Sequence, residues 1–522
     1  MGRCCVALSP SIDDIIAELP IRLHQVVDNQ AAIAPRQPSV IDHTNALSFE
    51  ELRRASIDTA ARLGELGVRA GDRVMIVSEN CVAAAVLLLA MSRLDAWAII
   101  VNPRLSQREL EQIREHSGAR LVLFASGVSP EAATHAASYG AKPAGIAGFA
   151  EIVASEVNAA ARPERVEEDG HKQVAILVYT SGTTGTPKGV MLTHQNLLFS
   201  ARTNALYEAK GSGHQIYIVL PISHIAGFTF LLMSLMMGAT GRLVRRFEPA
   251  LVSKAISNGE ASILGGVPAT YQRLLEYEDS FGATRHDRGI LKHLMVAGAP
   301  LDLTLKSRVE ERYRVPLLNC YGITECSPTI SSVRPDEPKS DQTVGSFVAG
   351  VEGRIVRLDG SIAAAGEVGE LHVRGPNVML GYYHAPELTA AAIDGGGWFK
   401  TGDLGRIDDA CLYIVGRAKE MIIRSGFNVY PAEVEAVLNS HPAVIQSAVV
   451  GKPVPGNEEV VAFVQLQADA KTTVDDLAGY LNPLLTSYKR PSQIIKLESL
   501  PATATGKILK SKLAASLRQA QQ

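Results

Sequence analysis

The sequence has no cysteine pair at metal-binding or redox spacing. Its six cysteines, Cys4, Cys5, Cys81, Cys320, Cys326 and Cys411, are scattered through 522 residues and none forms a C-x-x-C pair. That argues against a zinc site or a disulfide framework and fits a reducing, cytoplasmic setting. It also lacks an excess of either charge. With 51 Lys plus Arg against 54 Asp plus Glu the net charge is −3, so nothing global points to nucleic acid or an anionic membrane, and any anion site must be built locally. An uninterrupted apolar span of membrane length is missing too. Residues 81–101 carry Arg93 and Asp95. Residues 216–240 hold no Asp, Glu, Lys or Arg but are broken by Pro221, Ser223, His224 and Gly227. They read as a strand, a loop and a buried helix over 228–237 rather than a transmembrane segment. No signal peptide is expected, since residues 4–8 make too short an apolar stretch before Ser9-Pro10. Val6 stands where a myristoylation signal needs Ser or Thr, and no repeat period is visible.

What is present is an ordinary globular composition, 46% hydrophobic and 20% charged, in a chain long enough for several core-forming units. Helical and strand patterns alternate from Leu23 onward. Ser48 and Glu51 make a capping box for a helix reaching about Leu66. Strands are predicted over 72–77, 96–101 and 121–124, with helices over 82–93 and 107–117. Thr193 can cap a helix to about Glu208, and 261–264 and 293–296 read as buried strands. Residues 366–373 read as a strand entered through a turn, and 126–170 carry no motif. The rhythm implies an α/β body with a mostly parallel sheet and helices on both faces. After Arg417 come a hairpin over 421–429, a helix opened by Pro431, strands over 444–450 and 460–467, a helix near 475–485, a strand near 494–497 and a final helix, which together form a small α+β unit.

The chain is organised around Thr180, Ser181, Gly182, Thr183, Thr184, Gly185, Thr186, Pro187, Lys188 and Gly189, which follow the apolar run 174–179. Glycines free the backbone to aim N–H groups at one point, hydroxyls add donors and Lys188 adds charge, which suits a polyphosphate cradle. A lone loop of this kind is more often a polar surface turn. It is not a Walker A loop, since counting from Gly182 puts Pro187 at the second glycine position and Gly189 after the lysine.

These ten residues resemble the phosphate loop of the acyl-adenylate-forming superfamily, which includes acyl-CoA synthetases, peptide-synthetase adenylation domains and firefly luciferase. Five further segments match in order: 221–224 (PISH), 321–325 (YGITE), 401–403 (TGD), 416–420 (GRAKE) and 505–507 (TGK). The resemblance spans nearly the whole chain and implies a ligase that activates a fatty or aromatic carboxylic acid with ATP and Mg²⁺ and passes it to CoA. It implies a peripheral segment 1–20, an adenylation body 21–416 and a mobile lid 417–522, in a monomer or homodimer. A carrier-protein-loading acyl-AMP ligase and a luciferase-like enzyme are the alternatives.

The resemblance also assigns roles. Thr180 to Lys188 would cradle the β- and γ-phosphates. Glu325, with Thr184, would hold Mg²⁺, and Thr324 would meet the α-phosphate. Gly298, Ala299, Pro300, Asn319, Cys320, Tyr321 and Gly322 would line the adenine, with Tyr321 packed on the base. Asp403 would accept the ribose hydroxyls beside Arg417. Lys507 would bridge the carboxylate and the α-phosphate, and Lys419 would be the hinge. His224, Ile225, Ala226, Gly265, Ala297, Gly298, Cys320, Gly322 and Ser327 would form the acyl pocket, with His224 also counted among the catalytic residues. Small Gly265 is expected to leave room for a ring or alkyl chain. No basic residue stands among these to meet a second carboxylate. Arg104, Ser425, Gly426 and Arg490 would contact CoA, while Arg374 reads as structural.

Overall fold

The computed structural model describes residues 11–519 apart from 168, 170, 182–186, 207–212, 284–285, 426, 455–456, 468 and 503–507. Gly182, Thr183, Thr184, Gly185, Thr186, Gly426 and Lys507 therefore lie outside the described residues.

Local signals translate directly into elements. Ser48 and Glu51 close the capping box of Phe49–Glu65. Val82–Arg93, Gln107–Ser117, His293–Val296 and Pro431–Asn439 have the predicted bounds. The helix behind Thr193 runs His194–Ala205. Residues 126–170 contribute the helix Pro130–Ser138 and two short edge strands. In the segment read as peripheral, the helix Ile12–Ala17 sets Ile15 into the main core.

Two large sheets carry the body. In the eight-stranded sheet, Arg73–Val77 lies between Trp97–Val101 and Leu121–Ala125, both parallel to it. In the nine-stranded sheet, Thr240–Leu243, Gln215–Ile218, Ile263–Gly266, His293–Val296 and Leu317–Gly322 run parallel in that order. The parallel centres match the β-α rhythm, and antiparallel strands close the edges. A four-stranded antiparallel sheet of Glu352–Val356, Gly369–Arg374, Phe399–Asp408 and Cys411–Arg417 was legible only in its second strand. Its longest strand reads FKTGDLGRID. Glycines and charges there dilute the β-branched and aromatic content that marks a strand.

The glycine- and hydroxyl-rich loop joins two antiparallel strands, Val174–Ser181 and Pro187–Thr193, with Thr180 opposite Lys188. It closes a hairpin rather than leading a strand into a helix, which separates it from a Walker A loop by topology as well as by sequence.

The apolar stretch after Pro221 becomes the helix Ile225–Met237, which starts three residues before the expected 228. His224 caps it, its Nδ1 accepting from the Ala226 N–H at 3.3 Å. Gly227 belongs to the first turn instead of breaking it, because the chain passes so close that a Cβ would sit 2.3 Å from the Pro221 carbonyl oxygen. Among the described residues no helix is long and apolar enough to cross a membrane.

Beyond Arg417 the hairpin Ile422–Arg424 and Phe427–Val429 leads into a three-stranded sheet of Val444–Val454, Asn457–Leu466 and Gln493–Lys496. Two apolar clusters, one around Val434, Val449 and Leu477 and one around Phe463, Leu500 and Leu513, are built only from residues past 421. This part thus carries a core of its own.

Gly227→Ala tests the helix entry. Its Cβ meets backbone that cannot give way, so the substitution should destabilise the fold by about 1–3 kcal/mol. Gly64→Ala, where nothing lies within 4 Å, should leave the melting temperature unchanged or slightly raised. Equal thermal melts for the two variants would refute the close approach.

Candidate functional site

The parallel run of the nine-stranded sheet ends at Leu317–Gly322, and the chain turns through Ile323 into the single turn Thr324–Cys326. Residues 320–325 are all half-buried, so this segment forms a wall that remains reachable. Tyr321 Oη donates to Asp403 Oδ2 at 2.5 Å. Asp403 is buried and faces Arg417 in register across two antiparallel strands, with Arg417 Nε 3.1 Å from Oδ1. The carboxylate is thus gripped from two sides. Burial, then the Asp403 charge, push the Tyr321 phenol well above its ordinary range, so the hydroxyl remains a donor.

Glu325 sits in the turn after Tyr321. Its backbone oxygen accepts from the Met379 N–H at 2.8 Å, which fixes the turn. Its Oε1 accepts from Tyr382 Oη at 2.9 Å. Tyr382 lies on a two-residue strand paired to Pro187–Thr193, opposite Val190. Lys188, two residues before Val190, places Nζ 5.5 Å from the Tyr382 ring centroid. Lys419 falls within the electrostatic reach of Arg417, Asp403 and Lys188. Loss of hydration, then Arg417, lower its pKa from the ordinary lysine range; Lys188 acts the same way, and Glu420 and Asp403 oppose it. Two carboxylates, Glu325 and Asp403, and three cations, Lys188, Arg417 and Lys419, are therefore assembled in one place from four separate motifs.

The other predicted residues divide. Thr180 and Thr324 are half-buried beside this group. The backbones of Ser181 and Pro187 pair across the hairpin. Ala297 is half-buried and Gly298, Ala299 and Pro300 are exposed at the end of His293–Val296. Asn319 is buried, and its amide donates to the carbonyls of Thr343, at 3.0 Å, and Gln342, at 3.3 Å. It pins a loop in place. Cys320 Sγ lies 3.2 Å from Ser332 Oγ. His224 is exposed, Ile225 buried and Ala226 half-buried. Ser327 is fully buried, so it supports the wall from behind. Gly265 does not leave open room. A Cβ there would sit 2.2 Å from Phe230 Cζ, so the space is already filled by an aromatic ring.

The residues expected to meet CoA are placed unequally. Arg104 is exposed and its Nε lies 3.6 Å from the buried carboxylate of Glu79, which also holds Arg246 Nε at 2.6 Å and Arg245 Nε at 3.8 Å. Ser425 is exposed and its N–H donates to Asn457 Oδ1 at 2.6 Å. Arg490 commits two donors to the carbonyls of Leu485, at 2.8 Å, and Asn482, at 2.7 Å, which ties down its own loop. Arg374 pairs with Glu352 at 2.8 Å and stacks on Trp398, which agrees with a structural role. Sequence reasoning missed Tyr382, Arg245, Arg246 and Phe230. Only Phe230 had a usable signal, its helical spacing of four from Ala226.

A model of the AMP-binding enzyme family matches residues 27–383, and the model of the C-terminal domain of AMP-binding enzymes matches residues 433–507. The chain is 34% identical to a feruloyl-CoA synthase from Amycolatopsis over 93% of its length and 96% of the relative's. It is 33% identical to a 2-succinylbenzoate–CoA ligase from Geobacillus kaustophilus, again over 93% of its length and 96% of the relative's. The structure superposes on an o-succinylbenzoate CoA synthetase from Bacillus subtilis in complex with ATP and magnesium ion with a TM-score of 0.80, at 30% identity, covering 94% of this chain and 98% of that one. With the matched motifs brought together around Glu325 and Asp403, the chain belongs to the AMP-binding enzyme family.

Proposed function

We propose that this enzyme acts on a fatty or aromatic monocarboxylic acid and that the site residues divide the work as follows. The reaction is ATP-dependent formation of an acyl-adenylate followed by transfer of the acyl group to CoA. The acid's carboxylate attacks the α-phosphorus of ATP and pyrophosphate leaves. The CoA thiol then attacks the acyl carbonyl and AMP leaves. Both steps are displacements among anions, so the protein's contribution is positioning and electrostatic stabilisation. The observation that carries the reading is the gathering of Lys188, Arg417 and Lys419 around Glu325 and Asp403.

In this reading the hairpin from Thr180 to Lys188 takes the β- and γ-phosphates, and Tyr321 packs on the adenine while its hydroxyl stays on Asp403. Asp403, held between Tyr321 and Arg417, would meet the ribose hydroxyls. Thr324 meets the α-phosphate. The donors present suit Mg²⁺. Glu325 supplies one hard oxygen, and with Thr184 it would hold the ion beside the substrate phosphates. Bound there, the ion neutralises phosphate charge. Tyr382 orients Glu325 through its hydrogen bond. Lys507 bridges the carboxylate and α-phosphate. The part beginning at Arg417 is the lid, turning at Lys419, and Arg104, Ser425, Gly426 and Arg490 serve CoA. A cytoplasmic location completes the proposal.

An acid panel assayed for pyrophosphate release, with CoA and with a phosphopantetheinyl carrier protein, tests the function. Release of AMP and pyrophosphate with thioester on free CoA is expected. ADP as product, or thioester only on the carrier, would overturn it. Lys507→Ala should depress acyl-adenylate formation by several orders of magnitude while largely sparing thioester formation from supplied acyl-AMP. Equal losses in both half-reactions would remove Lys507 from the first step.

Tyr382→Phe deletes the donor to Glu325 but keeps the ring under Lys188. It should raise the Mg²⁺ concentration needed for half-maximal activity by about tenfold or more, with little change in the melting temperature. An unaltered magnesium titration would show that the Tyr382 hydrogen bond does not serve metal binding.

A further inference from the structure

The helix Ile225–Met237 is buried along nearly its whole length; only Ala226, Phe230 and Met236 retain partial exposure. Ala226 and Phe230 are four apart and so share one stripe of the helix. That stripe faces the end of Ile263–Gly266. Gly265 stands there, with Met295 beside it in register on the next strand, and Met295 is the one half-buried residue of His293–Val296. Phe230 and Met295 thus keep partial exposure on a helix and a strand that are otherwise buried, and the Phe230 ring lies over Gly265. The position of a Gly265 Cβ lies 2.2 Å from Cζ, 2.5 Å from Cε2 and 3.0 Å from Cε1. The missing side chain of the strand therefore accommodates the ring tip, not a ligand.

We propose that Phe230 closes the inner end of the acid pocket and restricts the enzyme to compact monocarboxylic acids, with short chains or a single ring, excluding long straight chains. This rests on reading His224 to Ala226 as the pocket's mouth. From Ala226 to Phe230 is one turn, about 6 Å along the helix, and an acyl chain entering past Ala226 meets the ring at that depth. Glycine at 265 is required because the ring's edge packs on its backbone. A larger residue there displaces the Phe230 ring before it touches any substrate.

The test is a series of straight-chain and single-ring acids assayed by acid-dependent pyrophosphate release, with wild type, Phe230→Ala, Phe230→Leu, Gly265→Ala and the double variant Phe230→Ala/Gly265→Ala. Wild type should favour compact acids. Phe230→Ala should raise kcat/KM for long acids relative to compact ones by at least about tenfold, the scale on which pockets discriminate by size, and Phe230→Leu should lie between. Gly265→Ala should weaken all acids, and adding Phe230→Ala should restore activity, since the clash is removed with the ring. An unchanged long-to-compact ratio in Phe230→Ala, a wild type that already prefers long chains, or additive losses in the double variant would each overturn the proposal. If no acid drives pyrophosphate release in wild type, the functional reading falls first and this one with it. If compact acids turn over but the ratio does not move, only the role of Phe230 is lost.

Discussion

A carboxylate withdrawn from water is costly unless it is gripped by donors, and Asp403 is held from both sides. Tyr321 reaches it from the end of the nine-stranded sheet. Arg417 reaches it from the last strand of the antiparallel sheet, immediately before the chain enters its C-terminal part. Two sheets are thus fastened at one anion. Removing either donor weakens the hold on a buried charge.

The second grouping lies around Glu325. Glu325 receives one hydrogen bond, from Tyr382, and Lys188 lies over the same ring. Among the described residues this is the side-chain hydrogen bond that the Glu325 carboxylate accepts. A chain with net charge −3 cannot attract a polyphosphate by its overall field. Local charge is what such a partner would meet: Arg417 stands on Asp403 and Lys188 lies over the Tyr382 ring beside Glu325.

Arg104 illustrates how local pairing qualifies a residue's role. The resemblance presents it as a contact for CoA. In the structure it shares the buried Glu79 with Arg245 and Arg246, so its charge belongs to a cluster at the ends of two sheets. Arg490, its expected counterpart, spends donors on neighbouring carbonyls, which makes it a loop staple whatever else it does.

The sequence by itself determined the elements and the motifs. Capping residues such as Ser48 and Thr193, the apolar periodicity of residues 82–93 and Pro431 at a first turn act over a few residues, so their outcome is written in those residues. The order of six motifs made the chemistry legible for the same reason. Tertiary structure alone decided the rest. It paired the phosphate loop's flanks into a hairpin and built an antiparallel sheet from strands too polar to declare themselves. It set Tyr382 on Glu325 across 57 residues of chain, and it filled the gap at Gly265 with Phe230. The last two are contacts between segments distant in sequence, and a glycine's vacancy has no meaning until packing shows what occupies it.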